Sequence, residues 1–267
     1  MLRKSISIIL LSLFLLSFSG ESKWKRMFTI KYAADFFTTD NIGNIYVIQN
    51  DEMVKYNANG DLLKKYSNKK LGKIFSVDAS NALRVLVYYK DFSVLVILDS
   101  QLTQNGENIT LEIMQLEQSD LACNSFQNGI WLYNRQNAEL VRLDENLTKV
   151  VNTGNLNRIL STELHPNVLI EYNGYVYLND PANGILVFDI YGTFYKTISI
   201  KGLSAMQFNE LEIYYFQNKR MEDYHTKELW TVDLPLPDTS VISARVEKGL
   251  YYMQFKDSVS VYSYSPQ

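Results

Sequence analysis

Five carboxylates, Asp35, Asp78, Asp120, Glu171 and Glu210, are the side chains with which this 267-residue chain could do chemistry. Each falls near the end of a short β-favouring run, far apart in sequence, so only the fold can gather them for acid–base work or around a divalent ion. Asp78 and Asp120 also suit a plainer role, capping turns or strand ends. The two histidines, His165 and His225, lack a His, Cys or acidic partner at a metal-ligand spacing such as His-x-x-x-His. His165 precedes Pro166 in a loop-like stretch, and His225 lies among charged residues. No Gly-x-Ser-x-Gly elbow, Walker loop or Gly-x-Gly-x-x-Gly occurs, so nucleophilic and nucleotide chemistry have no motif. Cys123, the only cysteine, cannot form an internal disulfide and reads as a small core residue within Leu121-Ala-Cys.

The elements that must position these groups repeat. The stretch Gly43 to Tyr66 reads as three strands joined by turns, with Asn57-Ala-Asn-Gly between the last two. Runs equivalent to Asn44-Ile-Tyr-Val-Ile-Gln begin near Ile45, Val85, Ile130, Val176, Ile213 and Leu250, at spacings of 40, 45, 46, 37 and 37 residues. A further run in each unit ends at Asn57, Asp99, Asp144, Asp189, Asp233 and Ser263, and five of these six are residues that hydrogen-bond their own backbone at a turn. Two independent markers therefore give six units. First strands are expected at 35–39, 73–77, 120–123, 168–171, 205–208 and 241–244. Fourth strands are expected at 61–66, 109–112, 148–151 and 194–200, with a Pro-flanked candidate at 236–240.

The composition suits strands. Hydrophobic residues make up 46% and aromatics 13%, with 19 Tyr and 13 Phe, whose apolar faces and polar edges fit half-exposed sheets. Residues 1–19 read as a signal peptide: Arg3 and Lys4, an apolar run from Ile6 to Phe18, then Ser17 and Ser19 before a cut at Gly20. That run is too short to cross a bilayer, so no stable membrane span is expected after cleavage. Loss of Arg3 and Lys4 moves the net charge from −3 to −5. A mildly acidic export product has no electrostatic footprint for nucleic acid. The basic, aromatic stretches 24–28 and 64–70 then read as solvated faces of outer strands.

Six four-stranded units of about 40 residues are the pattern of a six-bladed β-propeller, all-β and built of antiparallel blades, over residues 20–267. The sixth unit ends one strand short, while an orphan strand at 25–32 precedes the first. The N-terminal strand is therefore expected to complete the last blade and close the ring. The Gly-Asn-Ile-Tyr-Val opening, the Lys-Tyr-Asn-Ala-Asn-Gly-Asp-Leu-Leu turn and the six-fold count resemble six-bladed propellers of the NHL-like and TolB-like kind, found in exported proteins of Gram-negative bacteria. The Asn, Lys, Ile and Tyr richness also resembles Bacteroidetes proteins. The resemblance implies a periplasmic, cell-surface or secreted location and leaves activity open.

Two stretches depart from the repeat. Residues 217–228 in unit five and 152–167 between units three and four read as insertions on one face of the disc, the second with a helical turn after Arg158. Arg158, Lys219, Arg220, Asp223, Tyr224 and His225 are the candidate contacts, Arg and Tyr being the types that dominate interface energetics. The expected function is a non-catalytic, exported module that binds a protein or a cell-envelope component without a cofactor. The alternative resembles the gluconolactonase type of propeller: a calcium-dependent lactonase-like or lyase-like enzyme acting on a small sugar derivative in the channel. The chain lacks that family's early Glu-Gly-Pro stretch, so no ligand residue carries over.

Overall fold

The computed structural model describes residues 24–234 and 236–265. The expected signal peptide lies outside the described residues. Strand β1 (Trp24–Lys31) comes first. Blade I follows with β2 (Phe36–Thr39), β3 (Ile45–Gln49), β4 (Glu52–Tyr56) and β5 (Leu62–Ser67). Blade II comprises β6 (Ser76–Asp78), β7 (Val85–Tyr89), β8 (Val94–Leu98) and β9 (Ile109–Thr110), and blade III β10 (Ser119–Asn124), β11 (Ile130–Asn134), β12 (Glu139–Leu143) and β13 (Lys149–Asn152). After helix α1 (Leu156–Leu160), blade IV is β14 (Val168–Tyr172), β15 (Tyr175–Asp180), β16 (Gly184–Asp189) and β17 (Phe194–Ile198). Blade V is β18 (Gln207–Asn209), β19 (Glu212–Gln217), β20 (Arg220–His225) and β21 (Trp230–Leu234). Blade VI is β22 (Ser243–Glu247), β23 (Leu250–Phe255), β24 (Ser258–Tyr264) and, on its outer edge, β1.

Six four-stranded antiparallel sheets thus form the ring of a six-bladed β-propeller. The expected closure is present: β1 pairs with β24 from Trp24 opposite Tyr264 to Lys31 opposite Ser258. Trp24 packs edge-on against Tyr251 at 4.8 Å, and Ile30 is buried.

Central strands read as continuous apolar runs because both faces of a blade pack on neighbours. The described core divides into six clusters, one in each gap between adjacent blades. Large rings fill those gaps, and several of their polar ends find partners within the protein. Tyr46 Oη donates to Asp40 Oδ2 at 2.9 Å, and Tyr88 Oη donates across to the Ser119 carbonyl of the next blade at 2.5 Å. Cys123 is buried at 2% exposure, and its burial pushes the thiol well above its ordinary pKa, as suits a core residue.

The repeated turn residues act as expected in blades I to IV. Asn57, Asp99, Asp144 and Asp189 each accept two backbone N–H groups, from the residues two and four positions on. In blade I the turn ends at Gly60, whose φ is +88° and whose missing Cβ would lie 2.5 Å from the Phe28 ring of β1. Glycine is needed there both for the left-handed backbone and for the close approach.

Blade V departs from the sequence reading. Residues 217–228 are not an insertion: they supply the tight turn into β20 and the whole of β20. The run ending at Asp233 is consequently the fourth strand, paired with β20, and 236–240 is not a strand. The cause is polar composition, since Arg-Met-Glu-Asp-Tyr-His hides its alternation behind charges, with only Met221 and Asp223 fully turned inward. Residues 152–167 do hold a helical turn, α1, at Leu156–Leu160 and not over 158–164 as expected, capped by Asn155 accepting the Arg158 backbone N–H at 2.9 Å.

Candidate functional site

The innermost strands β2, β6, β10, β14, β18 and β22 enclose a central cavity of about 550 Å³. Their aligned starts and ends give the channel an axial polarity. Phe36, Phe75 and Met206 lie toward one end, and Asp40, Asp78, Glu171 and Glu247 toward the other.

Of the five expected carboxylates, only Asp78 and Glu171 line this cavity. Asp78 accepts the Asn124 backbone N–H at 2.7 Å and that of Ser80 at 2.9 Å. Glu171 accepts Ser125 Oγ–H at 2.5 Å, Trp131 Nε1–H at 2.7 Å and the Phe126 backbone N–H at 2.9 Å, so it ties blade IV to blade III. Asp35 and Asp120 face other partners. Asp35 accepts the Asn50 N–H, which holds its carboxyl below the usual range, and sits 3.3 Å from Lys73. Asp120 pairs with Lys90 at 2.8 Å and Arg135 at 3.3 Å. Glu210 is exposed at the turn between β18 and β19, where its N–H donates to Tyr172 Oη. Among the described residues, no three His, Cys, Asp or Glu side chains converge to hold a metal ion.

Sequence reasoning missed Asp40, Arg245 and Glu247, all of which line the cavity. Asp40 is 1% exposed and accepts from Asn44 through both backbone and side chain as well as from Tyr46. The signal for the other two was the alternation Ser243-Ala-Arg-Val-Glu247, in which polar side chains share one face of β22.

The expected contact residues do not form one patch. Arg158 follows the start of α1, whereas Lys219 and Arg220 sit at the turn between β19 and β20, one blade further round. All three are exposed and emerge on the same face, called the upper face below, which carries the second-to-third and fourth-to-first connections. Arg220 is already paired with Asp233 at 2.9 Å. Tyr224 and His225 lie at the far end of β20, and His225 stacks on Trp230 with ring centres 5.2 Å apart. Asp223 is 9% exposed, which removes it from any surface contact.

Asp223 instead carries a pH signature. Burial pushes its carboxyl up to about 6, Glu212 adds to the rise, and His225 opposes it. Its Oδ1 has no hydrogen-bond partner among the described residues. Because the folded chain holds this proton more tightly than the unfolded one, stability falls as pH rises from about 4 to about 6 and stays low above that. Asp223→Asn is expected to stabilise the protein at pH 7 by about 1–2 kcal/mol. Melting curves at a series of pH values check this: the wild-type Tm should fall across that window relative to the variant, and parallel profiles would refute the assignment.

These features define the class: a six-bladed β-propeller whose channel is lined by charges and phenylalanines. No protein family matches the sequence, and no curated protein is detectably similar to it. Solved structures are similar in fold. The Pan2 WD40 domain of Neurospora crassa matches with a TM-score of 0.62 at 8% identity, over 91% of this chain and 96% of that one. The virginiamycin B lyase of Staphylococcus aureus, solved with quinupristin, matches with a TM-score of 0.58 at 10% identity, over 86% and 80%. The extracellular domain of a B. thetaiotaomicron protein assigned to the hybrid two-component systems matches with a TM-score of 0.56 at 13% identity, over 85% of this chain and 33% of that one. At these identities the likeness concerns fold, and one fold here serves a lyase and an extracellular domain alike.

Proposed function

We propose that this chain is an exported, non-catalytic binding module that holds a protein or cell-envelope component on its upper face. The observation that carries this reading is a set of exposed apolar side chains raised on that face by its helical turns. Phe92 (55% exposed) ends the 3-10 turn Lys90–Phe92, Ile113 (84%) lies in the 3-10 turn Leu111–Met114, and Ile159 (56%) lies in α1. Phe75, 44% exposed, stands beside them with Lys90 Nζ 4.8 Å from its ring centre. The two 3-10 turns are joined by the Leu111 N–H donating to the Ser93 carbonyl at 2.9 Å, so Phe92 and Ile113 are held by one rigid support. Large apolar side chains grouped on a rigid loop surface and rimmed by charges such as Lys90, Arg135 and Arg158 are what protein interfaces use. This reading keeps the face expected from the two departures from the repeat, together with Arg158, and moves the remaining contacts from blade V to blades II to IV. The extracellular domain among the similar structures supports an exported setting.

Phe92→Asp combined with Ile113→Asp is expected to reduce capture of the native partner from envelope extract at least ten-fold (about 1.4 kcal/mol or more) while the Tm stays within about 2 °C of wild type. Leu83→Asp, on the opposite face at 74% exposure, serves as the control and should leave capture intact. Equal recovery with the double variant would reject the upper face as the binding surface.

A further inference from the structure

Arg245 and Glu247 stand two residues apart on β22, so their side chains leave the same face of the strand, and both line the central cavity. Arg245 donates from Nε to Thr39 Oγ1 of blade I at 3.0 Å. Among the described residues, its two Nη groups meet no protein acceptor. Glu247 accepts Gln207 Nε2–H on Oε2 at 3.2 Å, and among the described residues its Oε1 meets no protein donor. Opposite charges this near in an enclosed site would ordinarily close on one another. Among the described residues, no ion pair within 4.0 Å joins them. Each therefore presents unspent hydrogen-bonding groups to the same space.

The shifts agree with that geometry. Burial pulls Arg245 down to about 10, although Glu247 and Asp78 work the other way. Burial likewise raises Glu247 despite the nearby Arg245. Both groups are charges that their protein surroundings solvate incompletely.

We propose that the channel binds a small zwitterion with an apolar body, of the α-amino acid class, its carboxylate on the Arg245 guanidinium and its ammonium on Glu247. A guanidinium is the side chain best shaped to take a carboxylate through two parallel N–H bonds. A simple anion is disfavoured, because Asp40, Asp78 and Glu171 line the same cavity. A simple cation leaves Arg245 unmatched. A molecule carrying both charges close together answers both objections, and Phe36, Phe75 and Phe208 offer its body an apolar wall. The cavity volume falls within the range of small-molecule sites. This site shares Phe75 with the upper-face surface, but its charged groups and the residues varied to test it are different, so either can fail alone.

Calorimetry on the purified chain tests the assignment with L-phenylalanine, L-leucine and L-methionine, and with the single-charge analogues N-acetyl-L-phenylalanine and 2-phenylethylamine. At least one amino acid is expected to bind, with both phenylalanine analogues weaker than L-phenylalanine by about ten-fold or more. Arg245→Gln should remove the advantage of L-phenylalanine over 2-phenylethylamine. Glu247→Gln, nearly isosteric and checked for folding by its melting curve, should remove the advantage over N-acetyl-L-phenylalanine, and it decides the matter if Arg245→Gln does not fold. Absence of binding by all three amino acids at about 10 mM, equal affinity for either analogue, or an unchanged preference in Glu247→Gln would each overturn the proposal.

Discussion

A chain lacking Trp24–Lys31 is expected to lose cooperative unfolding, because those residues are the fourth strand of blade VI and the last strand has no other outer partner. The deletion removes the whole β1–β24 ladder, the aromatic group of Trp24 with Tyr251 and Tyr264, and the burial of Ile30 between blades VI and I. Burial of about two large side chains and a strand's worth of hydrogen bonds is worth on the order of 5 kcal/mol. Domains have total stabilities of about 5–15 kcal/mol, so the loss is comparable with the whole margin. It also leaves β24 as an open edge prone to pairing with other molecules. A permuted chain that begins near Asp35 and carries residues 24–32 after Tyr264 is the control. Trp24 lies opposite Tyr264, so a short turn can join the two strands as a hairpin. The permutant should melt in one transition near the wild-type temperature while the deletion gives a broad, non-cooperative profile by circular dichroism. A single sharp transition within about 3 °C of wild type in the deletion would refute the closure as a stabilising feature.

Glu171→Ala is the second large effect expected. The carboxylate receives three donors from blade III, one of them the indole N–H of the fully buried Trp131. Behind them, Arg142 donates from Nε to Ser125 Oγ at 2.7 Å and from Nη2 to the Phe126 carbonyl at 2.7 Å, with its guanidinium 3.8 Å from the Phe126 ring centre. The Ser125 hydroxyl therefore passes a chain of hydrogen bonds from a buried cation to the anion. Gly129 makes room for it, since a Cβ there would lie 2.6 Å from the Leu143 carbonyl and 2.9 Å from Arg142 Nη2. Truncating Glu171 strands the indole and amide donors and leaves Arg142 without its counter-charge. The expected cost is about 3 kcal/mol, or roughly 6–10 °C in Tm. Glu171→Gln should recover part of it, because an amide oxygen can still accept the Trp131 N–H. A Tm within about 2 °C of wild type for Glu171→Ala would show that the blade III–IV junction does not depend on this carboxylate. Such a role explains why an acid at a tempting place in the channel is a poor candidate for chemistry: its acceptor sites are largely spent on holding two blades together.

Much of the architecture was legible in the residues themselves. Repeated β-favouring runs, Asx turns and an unmatched first strand give six blades and their closure, because each depends on local preference or on simple strand counting. Blade V was misread for a physical reason. The strand β20 is flanked by polar neighbours and alternates charged with buried residues, so its hydrophobic signal is weak, while the exposed residues of β21 include Trp230 and Val232 and imitate a core strand. That one error produced the supposed insertion at 217–228, and with it five of the six expected contacts.

Acid positions along the chain could not reveal which of them meet. Asp78 is capped by a backbone N–H from blade III, Glu171 by a tryptophan from blade III, and Asp120 by Lys90 of blade II and Arg135 of its own blade. Apart from Arg135, these partners reach across a blade boundary from donors far away in sequence, 46 residues for Asn124 and 40 for Trp131. The sequence by itself determined the number of sheets, the turns of blades I to IV and the strand that joins the two ends, since period, turn chemistry and count are local properties. Only the tertiary structure decided that Arg245 and Glu247 share the channel unpaired and that Phe92, Ile113 and Ile159 stand out on one face. Those facts depend on how twisted sheets are arranged around a common axis, and no run of neighbouring residues encodes that arrangement alone.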